Sequence, residues 1–239
     1  MKIEVCTEYI DHALMAQKYG AHRIELCTNL SQGGSTPSLG QIEICRRILN
    51  IDLYVLIRPR AFDFCYSTLE FESMCRDIEF CKAIGVDGIV VGTLLPDTTL
   101  DIERMKTIKS IAGSMSVTFH RAFDVCKAPF DTLELLIDLG INRILSSGQA
   151  NSAFEGIDML KKLVQKADQR IAIMPGGGIN TENIADISHI SGAKEFHFSC
   201  HKKPLKGTSE EMITFLNGIP AFDQQKLETC IKILKRQSS

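Results

Sequence analysis

A chain of 239 residues with 44% apolar and 23% charged side chains has the length and composition of one well-packed globular domain. Its formal net charge of −2, with both signs interspersed, gives no electrostatic reason to expect nucleic acid or an anionic membrane as partner. The opening MKIEVCTEYIDHAL carries acids where a secretory leader has an apolar run, and no apolar stretch approaches about 18 residues, so a cytoplasmic protein is expected. Nine cysteines is an odd count at irregular spacing with no C-x-x-C pair, which reads as free thiols in a reducing compartment.

Short apolar runs of strand type alternate with amphipathic helical stretches along the whole chain. The expected strands are Ile3–Cys6, Arg23–Cys27, Leu53–Arg58, Gly88–Gly92, Ser116–His120, Asn142–Ser146, Arg170–Met174 and Lys194–Ser199. Helices are expected over Ile10–Tyr19, Leu39–Leu49, Leu69–Ile84, Asp101–Ala112, Pro129–Leu139, Ala153–Ala167, Thr181–Ile190 and Phe222–Arg236. Ser67-Thr68-Leu69-Glu70 has the form of a capping box opening the third helix, and Pro129 suits a first helical turn, where its missing N–H has no partner anyway.

Eight strands alternating with eight helices imply a parallel sheet. It is most simply closed as a single (β/α)8 TIM barrel spanning residues 1–239, with an open doubly wound sheet as the alternative. A weak repeat precedes every second strand: Gly20-Ala21-His22-Arg23-Ile24, Gly85-Val86-Asp87-Gly88-Ile89, Gly140-Ile141-Asn142-Arg143-Ile144 and Gly192-Ala193-Lys194-Glu195-Phe196. The glycine is a natural left-handed helix terminator, and the alternation suggests a barrel of two-unit modules.

Residues two apart on a strand share a face. Ile3 and Val5 oppose Glu4 and Cys6; Ile24 and Leu26 oppose Glu25 and Cys27; Val55 and Ile57 oppose Arg58. Val117 and Phe119 oppose Thr118 and His120, and Phe196 and Phe198 oppose Glu195, His197 and Ser199. Helices cover the outside of a barrel, so the polar set points inward, toward the C-terminal face where barrel enzymes place their chemistry. Such a set is costly unless paired or hydrated, and one buried ion pair of purely structural purpose would account for part of it.

In chain order the strand ends read Glu4-Val5-Cys6, Arg23-Ile24-Glu25-Leu26-Cys27, Ile57-Arg58-Pro59-Arg60, Thr118-Phe119-His120-Arg121-Ala122-Phe123-Asp124, Pro175-Gly176-Gly177-Gly178-Ile179 and Glu195-Phe196-His197-Phe198-Ser199. From Ile3 to about Ser199 the chain closely resembles the CutC family of copper homeostasis proteins, the IRPR and TFHRAFD strings being the most specific part. The resemblance implies a barrel, a cytoplasmic location, self-association as a dimer or tetramer, and a role in handling copper. It implies Cu(I) as the bound ion, held by the cysteines ending the first two strands, here Cys6 and Cys27. His22 stands where the family usually has an acid, Ala61-Phe62 stand in place of a glycine pair, and beyond His201 the chain is short and dissimilar.

Adjacent strands lie about 4.8 Å apart, so two inward cysteines on neighbouring strands bring their sulfurs within reach of one ion, and soft thiolates suit Cu(I). Two small residues filling the barrel mouth is the plain alternative. Two thiolates do not need the surrounding charges, however, and those suit a small anionic or phosphorylated molecule. On this second reading Arg58, Arg60 and Arg121 clamp the anion, with Gly176, Gly177, Gly178, His197, Ser199 and Glu4 in the binding site. His120 is the first candidate proton carrier, oriented by Glu195 or Glu25, with Asp124 beside it.

Overall fold

The computed structural model describes residues 1–202 and 220–237. Eight parallel strands are present: β1 (Lys2–Thr7), β2 (Arg23–Leu26), β3 (Asp52–Leu56), β4 (Gly88–Val91), β5 (Ser116–Phe119), β6 (Arg143–Ser146), β7 (Ala172–Pro175) and β8 (Glu195–Ser199). They pair in the order β7-β6-β5-β4-β3-β2-β1-β8, and a parallel bridge between Gly176 and His197 brings the two edges together. The result is the nearly closed (β/α)8 barrel expected from the alternation.

The helices are α1 (Ile10–Lys18), α2 (Leu39–Ile48), α3 (Thr68–Ile84), α4 (Ile102–Ala112), α5 (Pro129–Asp138), α6 (Ile157–Ala167), α7 (Ile184–Ser191) and α8 (Gln224–Arg236). Ser67 and Glu70 form the capping box of α3, and Ser38 and Gln41 form another on α2. Pro129 occupies the first turn of α5. Helix α6 begins four residues later than the periodicity predicts. Gly156 lies so close to the Ser147 carbonyl that a Cβ there would be 1.9 Å away, and residues 153–156 turn to make that approach.

In three of its four copies the repeat has a physical cause in how the even strand is tied to the odd strand before it. His22 Nδ1 accepts from the Ile3 N–H at 3.1 Å, Asp87 Oδ2 from Leu53 at 2.8 Å, and Asn142 Oδ1 from Val117 at 2.9 Å. In return the N–H of each of these three residues donates to the carbonyl of the same partner. The third position of these three copies therefore carries an acceptor, with the imidazole of His22 serving where the family usually has an acid; the fourth copy has Lys194 there instead.

Ile3, Val5, Ile24, Leu26, Val55, Ile57, Val117, Phe119, Phe196 and Phe198 belong to one continuous apolar core with the inner faces of the helices. Strand register sorts the opposite face into layers of four drawn from alternate strands. From the bottom they are Arg23, Gly88, Arg143 and Glu195; Glu4, Tyr54, Thr118 and Met174; Glu25, Val90, Leu145 and His197; then Cys6, Leu56, His120 and Gly176. Ordinary barrel interiors are branched and apolar; here the two lowest layers are an ion network around one aromatic ring. Gly88 makes room for that ring, since a Cβ there would lie 2.7 Å from Tyr54 and 2.8 Å from the Ser116 carbonyl.

Among the described residues no helix is long and apolar enough to cross a membrane.

Candidate site at the barrel mouth

The lower network joins two arginines to two carboxylates. Arg23 donates through Nε to Glu4 and through a terminal nitrogen to Glu195 at 2.7 Å. Arg143 forks onto the same Glu195 and reaches Thr118 Oγ1 at 3.2 Å. Both guanidinium groups lie over the Tyr54 ring, 4.7 and 5.3 Å from its centre. Burial alone would raise the carboxyl pKa of Glu4, but Arg23 and His197 overcome it and hold the group down to about 2. Glu195 is likewise held below the usual carboxylate range, against its burial, by Arg143 and Arg23. These residues form the scaffold of the site and are shielded from its cavity.

Above them three donors converge. One ligand atom each from Cys6, Glu25 and His197 lies within 4.8 Å of the other two. His197 Nδ1 sits 2.7 Å from Glu4 Oε1, while Nε2 faces Glu25 Oε2 at 3.7 Å. Glu4 stays ionised and can only accept, so the Nδ1 proton remains on the ring and Nε2 is left to act toward Cys6 and Glu25. A carboxylate that fixes a histidine in this way is the usual outer partner of a metal-bound imidazole. Burial pushes the Glu25 carboxyl up to about 7, with Glu4 adding to the shift and His197 opposing it. His197 goes well above its ordinary value despite burial, because Cys6 and Glu25 favour its charged form.

Cys27 stands apart from this trio. Its thiol donates to the Thr7 carbonyl at 3.5 Å and packs with Tyr54, Leu56 and Val90. Burial, then Glu25 and Cys6, drive its pKa well above the ordinary thiol value, so ionising it is costly.

The remaining expected residues are placed as follows. Arg58 is buried and donates to the carbonyls of Gln32, Gly34 and Phe62 at 3.2, 2.7 and 3.0 Å, with its guanidinium over Phe64. Among the described residues it binds no carboxylate, and neither Glu25 nor Glu195 is its partner. Arg60 pairs with Asp63 at 3.0 Å and Glu70 at 2.6 Å at the surface. Both arginines fasten the loop after β3, and neither lines the cavity described below. His120 is enclosed beside Gly92 and Phe64, and its Nδ1 accepts from the Ala122 N–H at 3.1 Å. Burial, and then the Arg58 charge, lower its pKa to about 3, and neither Glu25 nor Glu195 touches it. Asp124 accepts from Ser146 Oγ, Ser147 N and Oγ, Gln149 N and Arg121 Nε, organising the loop after β6.

Cys6, His197, Ser199, Arg121, Gly177 and Gly178 line one cavity of about 1050 Å³ at the C-terminal end of the barrel. Gly176 does not line it, but bridges to His197 just beneath. Sequence reasoning missed Arg23 and Arg143 as inward charges. The signal was present: both fill the fourth position of the even-strand repeat, two residues before Glu25 and Leu145 on the same face.

The family model of the CutC family matches residues 1–202. A protein named CutC from Chromobacterium violaceum is 46% identical over 197 residues, covering 82% of this chain and 80% of its own. The human copper homeostasis protein cutC homolog is 45% identical over 197 residues, covering 82% of this chain and 72% of its own. The solved structure of the copper homeostasis protein CutC from Streptococcus agalactiae superposes with a TM-score of 0.80 at 34% identity, over 83% of this chain and 98% of that one. N-(5'-phosphoribosyl)anthranilate isomerase from Pyrococcus furiosus, at TM-score 0.63 and 13% identity over 99% of each chain, shares the fold alone.

Proposed function

This chain belongs to the CutC family, and from that premise we propose that it handles copper by taking up Cu(I) as cargo at the barrel mouth, on the Cys6 thiolate and Nε2 of His197. The observation that carries this reading is the convergence of Cys6, Glu25 and His197 beneath an open cavity. Thiolate and imidazole are donors that Cu(I) accepts in low coordination number. Glu4 presets the imidazole, and Glu25 supplies a hard oxygen that compensates charge nearby. Cys27 is a reserve donor on the adjoining strand, hindered by its reluctance to ionise. Cys6 and His197 must release protons to bind, so affinity falls as pH drops. The reading includes action in the cytoplasm as a dimer or tetramer.

The test is an anaerobic competition titration against a chromogenic Cu(I) chelator. One Cu(I) per chain is expected, with Cys6→Ser and His197→Asn each losing about 10–100-fold in affinity, Cys27→Ser less, and Cys45→Ser nothing. Full affinity in a Cys6→Ser, His197→Asn double variant overturns the assignment.

A second reading is favoured by the size of the cavity. Its volume of about 1050 Å³ is at the upper end of small-molecule pockets, about 300–1,000 Å³, and far exceeds what an ion occupies. On this reading the barrel is an enzyme acting on a small anionic or phosphorylated substrate. Of the candidate proton carriers, Glu25 is the one that stands beside His197 and Cys6, ahead of His120, Glu195 and Asp124.

A further inference from the structure

The rim of the cavity differs in character from its floor. Strand β7 runs out into Gly176, Gly177 and Gly178, the last two with φ of +97° and +74°, a backbone region that residues with a side chain rarely adopt. The carbonyls of this turn are engaged: Gly177 O accepts from Ala153 N–H at 2.9 Å, and Gly178 O from the Asn183 side chain at 2.9 Å. Among the described residues no hydrogen bond uses the N–H of Gly178 or of Ile179; Gly178 is exposed, whereas Ile179 is 3% exposed, so its N–H is the enclosed one. An enclosed N–H without a partner calls for an acceptor.

Arg121 is fixed beside these donors. Its Nε donates to Asp124 Oδ2 at 2.7 Å and one terminal nitrogen to Ser147 Oγ at 2.7 Å, while its other terminal nitrogen has no acceptor among the described residues. That free nitrogen lies 3.4 Å from where a Cβ on Gly177 would stand, so glycine at this position leaves the guanidinium lying along the turn. The negative charge of Asp124 is shared among the serine and backbone donors of the β6 loop, which makes it a clamp for Arg121. Lys202 and Lys226 also line the cavity, opposed by Glu8 and by Asp223, whose carboxylate caps α8.

We infer that the guanidinium of Arg121 and the N–H groups of Gly178 and Ile179 form a binding site for the phosphate of a small phosphomonoester, whose remainder extends to the Cys6–His197 floor. Cys6 and His197 line the same cavity as Arg121 and the glycine turn, so a single molecule spans the two. Several converging donors and a fixed cationic fork suit a tetrahedral dianion better than a lone carboxylate. This inference deepens the second reading and is independent of copper.

Inorganic phosphate and glycerol 3-phosphate are the probes, titrated at constant ionic strength by calorimetry. Both bind the wild-type protein, glycerol 3-phosphate more tightly. Arg121→Gln, which keeps a donor for Asp124 and Ser147, loses about tenfold or more in affinity for both. Arg76→Gln, removing an exposed charge on α3, binds as wild type. Amide chemical shifts of the 15N-labelled wild-type protein give a readout that needs no variant, and the Gly178 and Ile179 signals move on addition of phosphate. The absence of any binding overturns both this site and the second reading. Binding that leaves those two amides unmoved, or that is undiminished in a folded Arg121→Gln, overturns the site alone.

Discussion

Glu4 Oε1 and His197 Nδ1 face each other at 2.7 Å across the seam between the first and last strands. Because Arg23 keeps Glu4 ionised, this contact decides which ring nitrogen carries a proton and turns Nε2 toward Cys6.

Replacing Glu4 by Gln removes the charge that holds both Arg23 and His197. Breaking such a buried pair costs about 3–5 kcal/mol, read as a fall in the denaturation midpoint. In the folded fraction the amide can donate to Nδ1 and reverse the ring's polarity, so Cu(I) affinity drops about 10–100-fold. A variant as stable as wild type, with unaltered affinity, would mean that Glu4 neither anchors the network nor sets the tautomer.

Stability should respond to acid through two groups of opposite sign. His120 titrates near 3 in the folded protein against an ordinary 6.5, so its neutral form contributes stability that is lost as pH falls from 6.5 toward 3. Glu25, raised from 4.5 to about 7, keeps its proton longer when folded, so its contribution is lost as pH rises through that interval. Urea denaturation of His120→Gln across this range should lack the acid loss, with slopes differing from wild type by up to about 1.4 kcal/mol per pH unit. Glu25→Gln should change the slope in the other direction. Parallel curves for all three proteins would dismiss both assignments.

Arg58→Met leaves three loop carbonyls without their buried donor, since Arg58 binds Gln32, Gly34 and Phe62. The expected loss is on the order of 3 kcal/mol. Phosphate binding by the surviving folded protein should be unaffected, because Arg58 does not line the cavity. An unchanged melting temperature combined with lost phosphate affinity would restore Arg58 as an anion clamp.

Phe62 occupies a left-handed backbone position, φ 75°, and the residue is 83% exposed. This is where the family usually carries a glycine pair. Holding an L-residue there costs about 1–2 kcal/mol, partly offset by the greater chain entropy glycine loses on folding. Phe62→Gly should therefore gain about 0.5–1 kcal/mol without altering metal or phosphate binding. A loss of stability would show that the exposed ring makes a contact worth more than the strain.

The alternation of strands and helices, the inward face of five of the strands and the caps at Ser67 and Pro129 were legible in the sequence, because each follows from spacing within a few residues. So was the family, from the IRPR and TFHRAFD strings. The polar interior was legible as a set of inward side chains, and period two extended by one step would have added Arg23 and Arg143 to it. Their roles depend on partners. Arg23 meets Glu195 from 172 residues away, Cys6 meets His197 from the far end of the chain, and Arg58 finds loop carbonyls in place of a carboxylate. Local alternation fixes which way a side chain points, but the stagger between neighbouring strands and the closure of β8 on β1 fix the level at which it arrives. Closure therefore decided that the lower charges neutralise one another as scaffold, and that Cys6, Glu25 and His197 remain together beneath the cavity.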